Sequence, residues 1–134
     1  MGNINAVRMD LDKEVQGTWV PFRDTDIELK IARWNNPTYV EAEQRVIEQR
    51  KVTLGAKELT DDQLLDARKE AASETILVDW RNVEDDDGSV EYNHAKALEY
   101  FRDPELQSLW TFVVLESMKD TNFRKQRLEA DAGN

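Results

Sequence analysis

Residues 17–37 read Gly17-Thr18-Trp19-Val20-Pro21-Phe22-Arg23-Asp24-Thr25-Asp26-Ile27-Glu28-Leu29-Lys30-Ile31-Ala32-Arg33-Trp34-Asn35-Asn36-Pro37, and this stretch carries both kinds of regular structure that the chain uses. Ile27, Leu29 and Ile31 alternate with Glu28, Lys30 and Ala32, the period of two that puts apolar groups on one face of a strand. Gly17 to Phe22 offers a short aromatic strand just before it. Pro21 has no N–H for a ladder hydrogen bond, so that strand belongs at an edge or beside a bulge. Arg23-Asp24-Thr25-Asp26 is the turn between the two. At Asn35-Asn36-Pro37 the pattern changes to helix, because an Asn side-chain oxygen caps a helix start and Pro suits the first helical position, where its missing N–H is not needed.

Toward the N-terminus, Val7, Met9 and Leu11 alternate with Arg8, Asp10 and Asp12, which predicts another half-buried strand and so a three-stranded antiparallel meander. Toward the C-terminus the helix opened by Pro37 runs to about Lys51, with a modest stripe of Val40, Ala42, Val46 and Ile47 and with Gly55 as its stop. Thr60-Asp61-Asp62-Gln63 has the form of a capping box, and the spacing of Leu64, Ala67, Ala71, Ala72, Thr75, Ile76 and Trp80 predicts a second helix as far as Trp80. Glu84-Asp85-Asp86-Asp87-Gly88-Ser89-Val90 reads as a loop or tight hairpin. Asn93 caps a short helix through Leu98 and Phe101, and Asp103-Pro104-Glu105 restarts the chain as a separate last helix. The fold class is therefore α+β, an N-terminal antiparallel β-meander of about three strands followed by about four α-helices. One domain covers residues 1–125, and residues 126–134 form a flexible polar tail.

The last helix has Leu106, Leu109, Trp110, Val113 and Val114 on one face, yet Phe112 and Leu115 point the other way. It must either thread the centre of the helical layer or expose its second side to another copy or a partner; the buried arrangement is the favoured one. Trp80 and Trp110 read as core. Trp34 lies on the strand parity opposite to Ile27, Leu29 and Ile31, so it faces the first long helix or a partner. The candidate partner-binding residues are Trp34, Tyr39, Phe112 and Leu115.

Composition removes most chemistry. With no Cys and only His94 among 134 residues, disulfides, thiol nucleophiles and the usual zinc ligand sets are excluded. Placing Gly88 at the sixth position of an EF-hand loop puts Val83 at the first position and His94 at the twelfth, where a bidentate Glu is required, so calcium has no support. His94 has no triad partner at a suggestive spacing, and no glycine-rich phosphate loop is present. Neither an enzyme nor a cofactor is expected. No apolar run approaches the roughly 20 residues that span a bilayer, and the N-terminus lacks a secretion signal, which makes the cytoplasm the expected location. The net charge of -10 belongs wholly to residues 58–134 and mostly to 58–103, where fourteen acids face five bases. Phosphate binding by that surface would be opposed, so nucleic acid is not an expected ligand. The acidity reads as solubilising, and partner binding as apolar and only weakly salt-dependent.

In order, Gly17-Thr18-Trp19-Val20, Ile27 through Tyr39, Glu74-Thr75-Ile76-Leu77-Val78-Asp79-Trp80, Tyr92-Asn93-His94-Ala95-Lys96-Ala97-Leu98 and Asp103-Pro104-Glu105-Leu106 to Phe123-Arg124 resemble the tail assembly chaperones of long-tailed, siphophage-type bacteriophages and prophages. The resemblance covers residues 5–125 and rests on order and spacing. It implies a small protein, absent from the finished virion, that binds the tape measure protein and keeps it soluble until tail tube protein assembles around it. A frameshifted longer form carrying a second domain occurs in many such phages. The resemblance brings no catalytic residue with it. Two other classes stay open from the residues alone: a structural head-to-tail or tail-terminating component, and an acidic inhibitor of a nucleic-acid-handling protein.

Overall fold

The structure, a computed structural model, describes residues 1–125; the polar tail expected at 126–134 lies outside the described residues. Three antiparallel strands form the sheet in the order β1 (Thr18–Pro21), β2 (Glu28–Ile31) and β3 (Leu77–Arg81). The α+β class and the strand count agree with the sequence pattern, but one strand comes from elsewhere in the chain. Residues 7–11 are not a strand. Asn3 caps a 3-10 turn at Ile4–Val7, and the Asp10 carboxylate accepts from the Asp12 and Lys13 amides to start a short helix, α1 (Leu11–Gln16). Local side-chain caps thus outcompete a ladder, and Leu11 is left 73% exposed. Among the described residues, Met9 alone of this segment keeps a bridge, to Arg124.

The third strand is the segment that periodicity assigned to the end of the second helix. Helix α3 (Asp61–Thr75) stops at Ile76, and Leu77–Arg81 pairs with β2, Trp80 opposite Leu29. Apolar spacing in this stretch fits a helix and a strand equally, and β2 supplies the partner that decides it. The sheet is therefore not a meander, because two helices intervene between β2 and β3.

Those helices follow their caps. Asn36 accepts from the Thr38 and Tyr39 amides, Pro37 opens α2 (Pro37–Leu54), and Gly55 closes it in the left-handed region. Thr60 and Gln63 form the reciprocal capping box of α3. Ion pairs from Arg45 to Glu74 and from Arg50 to Asp66 and Glu70 show the two helices running in opposite directions. Asn93 caps α4 (His94–Arg102); a 3-10 turn at Pro104–Leu106, capped by Asp103, leads into α5 (Gln107–Ser117). Between β3 and α4 lies a tight hairpin, β4 (Glu84–Asp85) and β5 (Gly88–Ser89).

Val20, Leu29 and Trp80 share the sheet's inner face, and the core behind it contains Ile31, Ile76, Leu77, Phe101 and Val113, all buried. Each such side chain contributes about 1.5–3 kcal/mol by leaving water. Ala71 and Ala72 on α3 are fully buried, as is Ala97 on α4, so small side chains let these helices approach closely. Helix α5 does not thread this core. Val113, Glu116 and Ser117 are its buried residues, and Leu115 is 57% exposed, so the favoured buried arrangement gives way to the exposed one. Arg33 fastens the chain ends: its guanidinium bonds Glu14 of α1 at 3.1 Å and Asp120 after α5 at 3.0 Å.

Candidate partner-binding groove

The four candidate residues do not converge. Tyr39 is wholly buried under Trp34, with ring centroids 4.6 Å apart, and donates its hydroxyl hydrogen to Glu43. Burial, then the Glu43 carboxylate, pushes its hydroxyl well above the ordinary tyrosine range. Tyr39 therefore offers no surface to a partner. Trp34 is half-buried, packed on Tyr39 and edge-on to Trp110 of α5. Trp110 itself is half-buried, whereas Trp80 is in the core as expected. Phe112 lies elsewhere, edge-on to Phe22 with centroids 4.9 Å apart, and Leu115 faces outward.

Phe22 leads to a feature that no single segment announces. An apolar groove of about 320 Å³ opens between the inner face of the sheet, the β4–β5 hairpin, α4 and the start of α5. Leu29 and Trp80 line its floor, Phe22 and Ile27 one wall, and Tyr100, Leu106 and Leu109 the other. Val83, Glu84 and Asp85 form the lip toward the hairpin. Its volume is at the lower end of the ~300–1,000 Å³ typical of ligand sites.

The floor is rigid. The Trp80 indole donates to the Val90 carbonyl at 2.8 Å, stacks on Tyr100 at 5.5 Å and meets Tyr92 edge-on at 5.0 Å. The Tyr92 hydroxyl reaches the carbonyls of Ser73 and Leu77 across the α3–β3 junction, and burial, followed by Asp79 and Glu74, pushes it above the ordinary range. A surface held in this way loses little side-chain entropy on binding. His94 Nδ1 stands 3.0 Å from the Ser73 carbonyl oxygen and 2.9 Å from the Tyr92 hydroxyl, next to this lattice of bonds.

Sequence reasoning missed the groove because its apolar lining comes from four separate elements, β2, β3, α4 and α5, together with residues that flank strands or helices, Phe22, Ile27, Val83 and Leu106, and periodicity within one element cannot show which others it will face. The available signal was an apolar residue beside each turn.

The electrostatics of the lip are one-sided. Glu84, Asp85, Asp86 and Asp87 are all exposed, and among the described residues none of the four is in an ion pair. Other acids of the same region are matched, Asp66 by Arg50 and Arg102, and Glu99 by Lys96. On the opposite wall Arg23 lies over the Phe22 ring at 5.8 Å. Among the described residues no helix is long and apolar enough to cross a membrane, and no group of three or more His, Asp and Glu is placed to hold a metal ion.

A family model described as the YdaY prophage protein matches residues 34–134. The match takes in Trp80, Tyr100, Leu106 and Leu109 of the groove and starts after Phe22, Ile27 and Leu29. No curated protein and no solved structure matches the chain.

Proposed function

This chain belongs to the YdaY prophage protein family, and on that footing we propose that it is a non-catalytic assembly factor, a tail assembly chaperone that shields an apolar helical stretch of the tape measure protein. The apolar groove floored by Leu29 and Trp80 carries this reading. A protein that only needed to fold would fill that space with side chains, since interiors are close-packed. An open, rigid, apolar groove suits the apolar face of a partner helix, a recurrent mode of peptide recognition. The net charge of -10 would keep a complex with a hydrophobic client soluble.

Co-expression tests the proposal. The tape measure protein should be soluble with this chain and aggregate without it, and Leu109→Asp should abolish the protection while circular dichroism still reports a folded domain. Mass spectrometry of purified virions should find the tape measure protein and not this chain. Recovery of this chain in ring-like copy number would make it a structural component instead.

A further inference from the structure

The groove and its lip differ in character, and the difference specifies the occupant more narrowly than an apolar surface alone. The walls contributed by Phe22, Leu106 and Leu109 accept any apolar side chain. Glu84 and Asp85 belong to the lining itself, and Asp86 and Asp87 continue the negative charge around the hairpin turn. Asp85 accepts from the Asp87 amide at 2.8 Å, which fixes the turn. Among the described residues these four adjacent carboxylates are in no ion pair, Lys96 being near enough only to feel Asp85, so they repel one another and an incoming cation would relieve that repulsion.

A second copy of the chain is a poor occupant for this lip. Each copy brings a net charge of -10, and its acids are concentrated in the region that includes the hairpin. We propose that the groove takes a cationic amphipathic helix from another protein, its apolar stripe packing between Phe22 and Ile27 on one side and Leu106 and Leu109 on the other, above the floor of Leu29 and Trp80, and a Lys or Arg beside the stripe pairing with Glu84 to Asp87. This rests on the reading of the groove as the client site and adds the charge of the segment to be recognised. The apolar stripe supplies affinity that salt does not weaken, whereas the lip supplies orientation and a salt-dependent part, because exposed charges are screened beyond about 8–10 Å at physiological ionic strength.

Two synthetic peptides with the same Leu stripe at i, i+3, i+4 and i+7, one flanked by Lys and the other by Glu, test this on the full chain. Titration is followed by the Trp80 indole N–H resonance, which reports occupancy of the floor without altering it. At low salt the Lys peptide should bind about tenfold more tightly, as several surface pairs together allow. The gap should close in about 1 M salt, where the screening length is about 3 Å. It should also close when Glu84→Gln, Asp85→Asn, Asp86→Asn and Asp87→Asn are combined. It should persist when four exposed acids outside the groove are neutralised together as Glu41→Gln, Glu48→Gln, Glu58→Gln and Asp61→Asn. Equal binding of both peptides, with the Trp80 signal shifted by each, would overturn the charge inference and leave the apolar groove standing. A control variant that closes the gap as well as the lip variant does would assign the preference to net charge. Failure of both peptides to move the Trp80 signal would overturn the groove reading together with the inference.

Discussion

The Nε1–H of Trp80 donates to the carbonyl oxygen of Val90 over 2.8 Å, so the hairpin bearing the acidic lip is suspended from the floor of the groove. Trp80→Phe keeps an aromatic ring and removes the donor. The expected cost is about 1–3 kcal/mol in urea unfolding, from the unpaired carbonyl and the lost ring area. Amides of residues 84–90 should exchange faster than in the parent, while those of α2 stay protected.

Gly17 and Val78 should prove coupled. Gly17 has φ +92°, and a Cβ there would stand 3.1 Å from Val78 Cγ2 and 3.2 Å from the Ile31 carbonyl carbon. Val78 sits where the β2–β3 register shifts, between the pairs Lys30 with Asp79 and Ile31 with Leu77. Gly17→Ala therefore meets both backbone strain and a close neighbour, and thermal unfolding should show a loss of about 2–3 kcal/mol. Gly55→Ala, at φ +63° with open space around it, should cost about 1 kcal/mol.

The same stretch shows what the sequence could and could not reveal. Helix starts at Asn36, Thr60, Asn93 and Asp103 were legible because a cap is a local bond between a side chain and amides two or three residues on. The strand at Leu77–Arg81 was not legible as a strand, since what makes it one is β2, almost fifty residues earlier. Residues 7–11 misled in the opposite direction: five alternating residues look like a strand until the Asp10 carboxylate bonds two amides of its own turn. The candidate surface split for a similar reason. Trp34 and Tyr39 are adjacent in space and Phe112 is not, and helix phase alone cannot say which neighbour each side of α5 will meet.

Asp66 should give the protein an acid-sensitive joint. It bonds Arg102 at 2.9 Å and Arg50 at 2.7 Å, linking α2, α3 and α4. The Arg102 hydrogen bonds above all, then the one from Arg50, hold its carboxyl below the usual carboxylate range. A carboxyl with a lowered folded-state pKa stabilises the fold at pH above its unfolded value, and that contribution is lost as pH falls through the folded value. Unfolding free energy measured from pH 7 to below pH 4 should drop less in Asp66→Asn than in the parent. At pH 7 the substitution should cost on the order of 1 kcal/mol, kept small because about a third of the side chain is in water.

His94→Ala should lower stability by no more than about 1 kcal/mol, the worth of its part-buried contact with the Ser73 carbonyl and its contact with the Tyr92 hydroxyl. Partner binding should be unchanged, and calcium or a chelator should leave Tm where it is. A Tm raised by several degrees in calcium would show that the carboxylates at 84–87 hold a cation after all.

Phe112 and Leu115, treated alike by helix periodicity, should separate on mutation. Phe112 is half-buried with its ring against Phe22, so Phe112→Asp places a carboxylate in an apolar contact and should cost about 2–4 kcal/mol, read as a lower urea midpoint. Leu115 is 57% exposed, one turn from Met118 at 53%, and Leu115→Asp should leave a domain with unchanged circular dichroism and a midpoint within about 0.5 kcal/mol of the parent. Light scattering on the same sample then shows whether this side of α5 is an interface between copies. If the parent is an oligomer and Leu115→Asp a folded monomer, the exposed side is where copies meet. If both have the mass of one chain, Leu115 and Met118 are either solvent-facing or kept for the client, and the peptide titration on Leu115→Asp separates those two. An unfolded Leu115→Asp would contradict the position of α5 itself, because an aspartate at a site more than half in water has no burial penalty large enough to unfold the chain.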